Sequence, residues 1–510
     1  MSSVLIRGKY VICGVNDRDE VDVIVDGAVF QKDGEIIEVG KYDNIKSRYT
    51  ADDELGSDQY VVMPGLVNAH HAGGLSSNLM GNPDDSLERW FIPMFMGYRI
   101  ADPYLVNMYC IARLIENGVT TAMHLHFPRG PGYEKSVPET LRAYLDSGLR
   151  VAFAPGVRNQ NHLVYQGDDE FLNSLPQGLA TKLRQYLAGI RVSDEEYFAL
   201  TEKLLKEYGG NTSGKVRIFL GVAGPQWCSE ELLIRIKRLA GEYQTGIHAH
   251  MLETVYQKLY ALKTFGKTFP EYLNDIGFLG PEVSFAHSVW ATEKDIELYA
   301  KTGTSICHNP SSNLRLVGGI APVRSMLERG VNVALGMDNH SLNDNEDMLQ
   351  DIRLCANLHR IPGREKPGLT SGQLLKMATV NGARASFFSG QIGTLEKGKR
   401  ADIILVNLEK ITEPYIDPKA DIVDVVLARA SGRDIDTVMI DGEIVLRDGK
   451  HTKINKSEIV AEIRESLTRD LKAEETEQRK LADELYPHVL EFYRRWQIPE
   501  MKPHYTYNSR

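Results

Sequence analysis

Hydrophobic and polar positions change rhythm twice along the 510-residue chain. From Val4 to Val39, short clusters of β-formers alternate with Gly, Asp and Asn turn residues: Val4–Ile6, Tyr10–Cys13, Val21–Val25, Ala28–Lys32 and Glu35–Val39. The pattern predicts strands joined by tight turns, with the first helix near Asp43. The same texture returns far away, at Ala401–Val406 and Asp436–Gly449. Neither group has enough strands to bury a face alone. The two ends are therefore expected to meet in one small β-sandwich drawn from residues 1–62 and 391–455.

Between them, over residues 63–390, apolar runs alternate with segments at helical spacing. A helix over Pro103–Gly118 leads to a strand at Thr120–His126, and one over Pro138–Gly148 leads to Arg150–Pro155. Lys215–Gly221 reads as a strand followed by a helix from Ser229, and Thr245–His250, Pro281–His287, Gly303–His308 and Val331–Asp338 read as further strands. Strand-then-helix alternation predicts an α/β fold with parallel strands and crossover helices, here a (β/α)8 TIM-like barrel. The strands repeatedly end in His, Asp or Gly, and the carboxyl end is where such barrels carry chemistry. The last rhythm, Lys456–Arg495, sets apolar positions at helical spacing among many charges. It predicts a helical C-terminal extension over residues 456–510, packed on the barrel or on another subunit, with no chemistry assigned.

Composition narrows the partners. With 42% hydrophobic and 25% charged residues the chain reads as a soluble globular protein. A net charge of −10 and no block of lysine or arginine exclude a nucleic-acid backbone or an anionic membrane as the main partner, leaving small-molecule chemistry. Five scattered cysteines without C-x-x-C spacing suit a reducing compartment. Arg7 and Lys9 interrupt the first apolar run, so a signal peptide is not expected, and no run approaches the ~18 apolar residues of a membrane span. The expectation is a cytoplasmic enzyme that forms a homo-oligomer.

Candidate chemistry gathers at strand ends. MPGLVNAHHAGGL, Met63–Leu75, carries His70 and His71 to a glycine-rich loop. In TGIHAHMLET, His248 and His250 share one strand face and Glu253 follows in the loop. SFAHSVW supplies His287, SICHNPSSN supplies His308 and ALGMDN supplies Asp338. Imidazole suits a borderline ion such as zinc, and a neighbouring carboxylate can shuttle protons. Ending a buried strand on Asp338 is costly in desolvation unless the carboxylate has a partner or a task. Singly, each histidine has an ordinary structural explanation.

Together, PGLVNAH, HMLET, FAHSVW, CHNPSSNLRLVGGIAPV, ALGMDN, MATVNGARA and IGTLEKGKRADIIL, in order over about residues 1–450, resemble the amidohydrolase superfamily in its cytosine deaminase and triazine hydrolase branch. The resemblance implies the (β/α)8 barrel, the composite β-sandwich and one divalent metal ion per subunit, with zinc the first choice and iron, cobalt or manganese the alternatives. It places His70 on the first histidine of the strand-one H-x-H, His250 on the strand-five ligand, Glu253 on the acid/base, His287 on the strand-six histidine and Asp338 on the strand-eight aspartate. Around strand four, Val222, Ala223 and Gly224 stand where a bridging lysine would be, which favours a single metal. The sequence departs from the pattern at Ala72, which takes the place of the second strand-one histidine. Three substitutes are open: His71 if the strand end bulges, the Asn68 amide oxygen, or water. His340 is a further candidate, and His124 and His126 could line the same mouth. Phenylurea and thiocarbamate hydrolases, in which this motif is altered, add aryl urea or carbamate cleavage to the range.

The function expected is metal-dependent hydrolysis of a non-peptide C–N bond in a small aromatic or heterocyclic substrate by a metal-activated water, either deamination or cleavage of an aryl amide, urea or carbamate. His70, His250, His287 and Asp338 are the expected metal ligands, and Glu253, His287 and Asp338 the catalytic groups. Gln226, Trp227, His308 and Trp90 are expected at the substrate, with Asn78, Phe91, Met94 and Phe95 as wall or lid. A proton donor at Glu253 favours a nitrogen leaving group. The competing expectation is a metal-depleted, catalytically inactive binding or assembly subunit. Retention of His250, Glu253, His287 and Asp338 speaks against it.

Overall fold

The computed structural model describes residues 3–97, 99, 101–127, 132–209, 214–361, 363 and 368–498. Both ends of the chain meet, as expected. Ser3–Val15, Val21–Lys32, Glu35–Lys41 and Asp53–Pro64 join Ile403–Asn407, Ile435–Ile440, Glu443–Arg447 and Lys450–His451 in one hydrogen-bonded sheet of eight strands. The junction is Asp53–Pro64, parallel to Ser3–Val15 on one side and antiparallel to Ile403–Asn407 on the other. Residues from both ends, among them Ile6, Val11, Val29, Val62, Ile403, Leu405 and Met439, share one core. The short clusters of the N-terminal region fuse into longer strands because bulges absorb the breaks, as between Gly8 and Tyr10.

Parallel barrel strands follow at Leu66–His71, Val119–His126, Arg150–Val157, Val216–Ile218 with Leu220–Val222, Ile247–Met251, Val283–His287, Ser305–His308 and Val333–Leu335. They pair in chain order. Closure between strand eight and strand one is made by the loop after strand eight. Met337 and Asp338 donate their backbone N–H groups to the His70 carbonyl at 3.2 and 2.9 Å, and Met337 N–H also donates to Asn68 Oδ1 at 3.0 Å. Gly336 permits this approach. A Cβ there would collide with Asn309 Oδ1 and lie 2.8 Å from His70 Cβ. At the other end of the barrel, the fully buried Arg150 forks onto Asp402 at 3.0 and 2.8 Å, tying strand three to the terminal sheet.

The C-terminal extension is two helices, Lys456–Thr468 and Ala473–Arg494. Arg469 pairs with Glu475 across the break, at 2.7 Å through each guanidinium nitrogen. The second helix lies on the barrel rather than in solvent. Its Leu481, Leu485, Val489 and Tyr493 share a core with Phe91, Ile92 and Met96 of the helix Leu87–Met96, and with Trp227. Arg479 Nε adds a hydrogen bond to the Gly97 carbonyl at 2.9 Å. Among the described residues no helix is long and apolar enough to cross a membrane.

Candidate active site

The carboxyl ends of strands one, five, six and eight converge on one point. His70, His250 and His287 bring ligand-type atoms within 4.8 Å of one another. His70 Nε2 stands 3.6 Å from Asp338 Oδ1, and His287 Nε2 stands 3.8 Å from Glu253 Oε2. Each imidazole is held from behind through Nδ1. His70 Nδ1 meets His248 Nε2 at 2.8 Å, His250 Nδ1 meets the Ala223 carbonyl at 2.8 Å, and His287 Nδ1 meets Asn313 Oδ1 at 2.8 Å. His248 is itself fixed by Ser284 Oγ at 2.7 Å. Anchoring one ring nitrogen aims the other, which is how ligand histidines are oriented around a metal. Asp338 is oriented likewise, its Oδ2 accepting from Ser312 Oγ at 2.9 Å.

Electrostatics prepare the same groups. Burial holds His70 well below the usual imidazole range, reinforced by the neighbouring His250, His248 and His287. Burial also lowers His250 and His287. Neutral imidazoles with free lone pairs are ready ligands. Burial pushes the Glu253 carboxyl the other way, up to about 8, with Asp338 and Glu88 adding to the shift and His250 opposing it. His287 and Asp338 adopt left-handed backbone angles, φ 76° and 58°, where non-glycine residues are strained. This bend turns their side chains back over the barrel mouth.

The donor set fits a divalent ion of borderline softness. The Nε2 atoms of His70 and His287 are buried without a hydrogen-bond partner among the described residues. Three neutral imidazoles and a carboxylate around one point match zinc preferences. Neither substitute for the missing strand-one histidine joins them. Strand one does bulge: from Asn68 to His71 it runs beside Ala122 to His124 of strand two, one residue fewer. That bulge turns His71 toward strand two, with Nδ1 on the Asp338 carbonyl at 2.9 Å and the ring edge-on to His124 at 5.3 Å. The Asn68 oxygen is occupied in closing the barrel. The Ala72 methyl lines the pocket and supplies no ligand.

The pocket above the cluster has a volume of about 60 Å³ and is walled by Leu87, Trp90, Phe91, Phe95, Phe127 and Trp227, with His250, Glu253, Asp338 and His340 on its polar side. Trp90 and Trp227 both line this pocket, and Phe91 stacks on Trp227 at 5.3 Å. Met94 packs behind Trp90 and Leu87. Gln226, expected at the substrate, is fully buried and does not line this pocket; neither atom of its side-chain amide has a hydrogen-bond partner among the described residues. His308 departs from expectation. It does not line the pocket; its ring faces His359, with Nε2 atoms 3.4 Å apart, and lies near Cys355. Asn78 is also elsewhere, exposed and bonded to Asp84 at 3.2 Å. His124 and His126 bond Tyr144 and Ser136, and only His126 reaches a cavity that adjoins Ala72.

Four supporting residues were not singled out from the sequence: Ser284, Ser312, Asn313 and Glu88. Ser312 and Asn313 lie within the SICHNPSSN run, so an amide and a hydroxyl clustered behind a strand-end histidine were the available signal. Glu88 bonds Thr254 and the Tyr165 hydroxyl, and burial raises it to about 7. Nothing in its local sequence distinguishes it from a surface helix glutamate.

Comparison with known proteins agrees with this geometry. The model of the family described as "Amidohydrolase family" matches residues 61–445. A 5'-deoxyadenosine deaminase of Methanosarcina mazei is 31% identical over 467 residues, covering 91% of this chain and 97% of the relative. A 5-methylthioadenosine/S-adenosylhomocysteine deaminase of Caldanaerobacter subterraneus subsp. tengcongensis is 29% identical, covering 90% and 97%. In fold, the chain is similar to an adenosine deaminase of Xanthomonas campestris with bound zinc (TM-score 0.77, 23% identity, 91% of this chain and 98% of that one). It is equally similar to a triazine hydrolase of Arthrobacter aurescens (TM-score 0.77, 21% identity, 92% and 100%).

Proposed function

The chain belongs to the amidohydrolase family and is a hydrolase of C–N bonds other than peptide bonds; from this premise we propose that it deaminates a planar amino-heterocycle of the adenine-nucleoside class, with one zinc ion held by His70, His250, His287 and Asp338. An ion so held supplies Lewis acidity that brings the ionisation of a water toward neutral pH.

The chain's own residues supply the remaining tasks. Asp338, fixed through Ser312, accepts the proton of the attacking water. Glu253 is the observation that carries the reading: a buried carboxyl, pushed up to about 8 and 3.8 Å from His287, at the edge of an aromatic-walled pocket. At neutral pH it holds a proton it can deliver to the leaving nitrogen, which cannot depart unprotonated. His287, with Nδ1 on Asn313 and Nε2 toward the cluster, keeps the Glu253 carboxyl 3.8 Å from a proposed ligand and so beside the ion's place. Trp90, Phe91 and Trp227 offer flat faces to a heteroaromatic ring.

The deaminase names of the relatives support ammonia as the product over an aryl amine. Incubating zinc-loaded protein with 5'-deoxyadenosine, simpler aminopurines and an aryl urea, and assaying ammonia and aryl amine separately, tests this. Ammonia from an aminopurine is expected. Aryl amine from the urea with no ammonia from any aminopurine would overturn it.

A further inference from the structure

Strand three ends at Val157 and hands the chain to Arg158, which lines a solvent-open cavity of about 240 Å³ beside the active-site pocket. Its guanidinium carbon lies 5.1, 5.9 and 5.2 Å from the ring centroids of Phe91, Phe95 and Phe127. Among the described residues no carboxylate lies within ion-pair distance, and the hydrogen bonding reduces to one long contact, 3.4 Å from Nη1 to the His162 carbonyl. The acidic groups on the same side are engaged or turned away. Asp168 is shared by His162 and Arg191 at 2.7 and 3.1 Å, Glu196 is folded back on Ser193, and Glu134 is exposed.

Burial pushes the Arg158 guanidinium down to about 10, which leaves it cationic at neutral pH. Arg158 is half-buried, with Asp168 the nearest acidic influence and no ion pair of its own among the described residues; burying a cation so is costly, and aromatic faces offset only part of the cost. The Arg158 side chain lines the cavity and makes no hydrogen bond among the described residues beyond that to the His162 carbonyl.

We propose that this chamber binds a small organic anion, a carboxylate or a phosphate ester, on Arg158. The planar fork of donors matches both groups. Phe95 and Phe127 line this chamber and the catalytic pocket alike, so the anion is either a free acid or the far end of a substrate whose ring occupies the neighbouring pocket. The second source rests on the deaminase reading.

Titration of zinc-loaded protein with inorganic phosphate and with succinate, at constant ionic strength, reads the binding directly by calorimetry and by thermal shift. Saturable binding at one site is expected, weakened at least tenfold in Arg158→Met. No saturable binding to the wild type, or equal binding to Arg158→Met, overturns the proposal. Should that variant fail to fold, Arg158→Lys decides: it keeps the charge and loses the fork, so several-fold weaker binding is expected, and unchanged affinity overturns. Kinetics separate the sources. If the anion is the substrate's own end, an amine bearing a carboxylate tail shows KM raised at least tenfold by the substitution while its methyl ester does not. If it is a free acid, both KM values stay put while anion binding is lost. Absence of turnover on every amine would sink the deaminase reading and leave the anion titration standing.

Discussion

The backbone N–H of Asp338 donates to the His70 carbonyl at 2.9 Å, and the same two residues bring Oδ1 and Nε2 to 3.6 Å. One pair therefore closes the barrel and spans the cluster. Anything that shifts strand eight against strand one moves two proposed ligands apart.

Gly336→Ala tests that coupling. The added methyl would run into Asn309 and His70, and overpacking of this kind costs ~1–3 kcal/mol. Lower thermal stability together with weaker zinc affinity is expected, read by scanning calorimetry and chelator competition. Reduced stability with unchanged affinity would uncouple closure from the site.

His71→Ala should keep one metal per chain, because the ring is turned to His124 and the Asp338 carbonyl. Elemental analysis of the purified variant reads this. Loss of the metal would return His71 to the ligand set.

Asn313→Ala removes the nearer partner of His287 Nδ1, at 2.8 Å, and leaves only the longer contact to Asn309 Nδ2 at 3.4 Å. Losing such an orienting hydrogen bond typically weakens metal binding by ~10–100-fold. Competition against a chelator of known affinity measures it, and an unchanged dissociation constant would take His287 out of the coordination.

Glu253→Gln preserves shape and removes the transferable proton. Metal content should stay the same while kcat falls by ~10²–10⁴, the usual span for general acid–base groups. Turnover within a factor of two of wild type would assign proton delivery elsewhere.

Glu346, which is not itself a proposed ligand, predicts a pH dependence of stability. Burial, with Asp351, Asp338 and Asp344 adding and Arg113 opposing, pushes its carboxyl up to about 8. The folded state thus keeps a proton that the unfolded chain, with a carboxyl near ~4.3, releases. Its contribution is present at low pH and fades as pH rises toward 8, by at most ~1.4 kcal/mol per pH unit. Glu346→Gln cannot titrate, so its stability relative to wild type should grow between pH 5 and pH 8 in denaturant unfolding. A constant difference would contradict the shift.

Much of this site was legible in the sequence because barrel strands end in an apolar run and then a polar residue. His70, His250, His287 and Asp338 share that signature, and Glu253 follows one such end by a few residues. Strand alternation also indicated that His248 and His250 share a face, yet their tasks differ: His250 turns to the cluster while His248 backs His70. Pairings across strands, Ser284 with His248 or Ser312 with Asp338, join residues far apart in the chain and leave no local pattern. His308 ends its strand as His287 does, but its ring faces the end of the helix Met348–Leu358, where His359 and Cys355 lie. A period of two tells which residues share a face and not which face looks inward. The tail's amphipathic spacing was legible; its partner, the aromatic helix Leu87–Met96, was not.

That partnership has a consequence for biosynthesis. Phe91 and Trp90 are synthesised before most of the barrel, whereas Leu485, Val489 and Tyr493, which pack on their helix, follow only after every barrel strand. At translation rates of ~5–20 residues per second, roughly 20–75 s separate the two helices. For that interval a nascent chain can hold every proposed ligand strand and still lack the element that seats the pocket's wall, so catalytic competence should follow the emergence of Ala473–Arg494 rather than completion of the barrel.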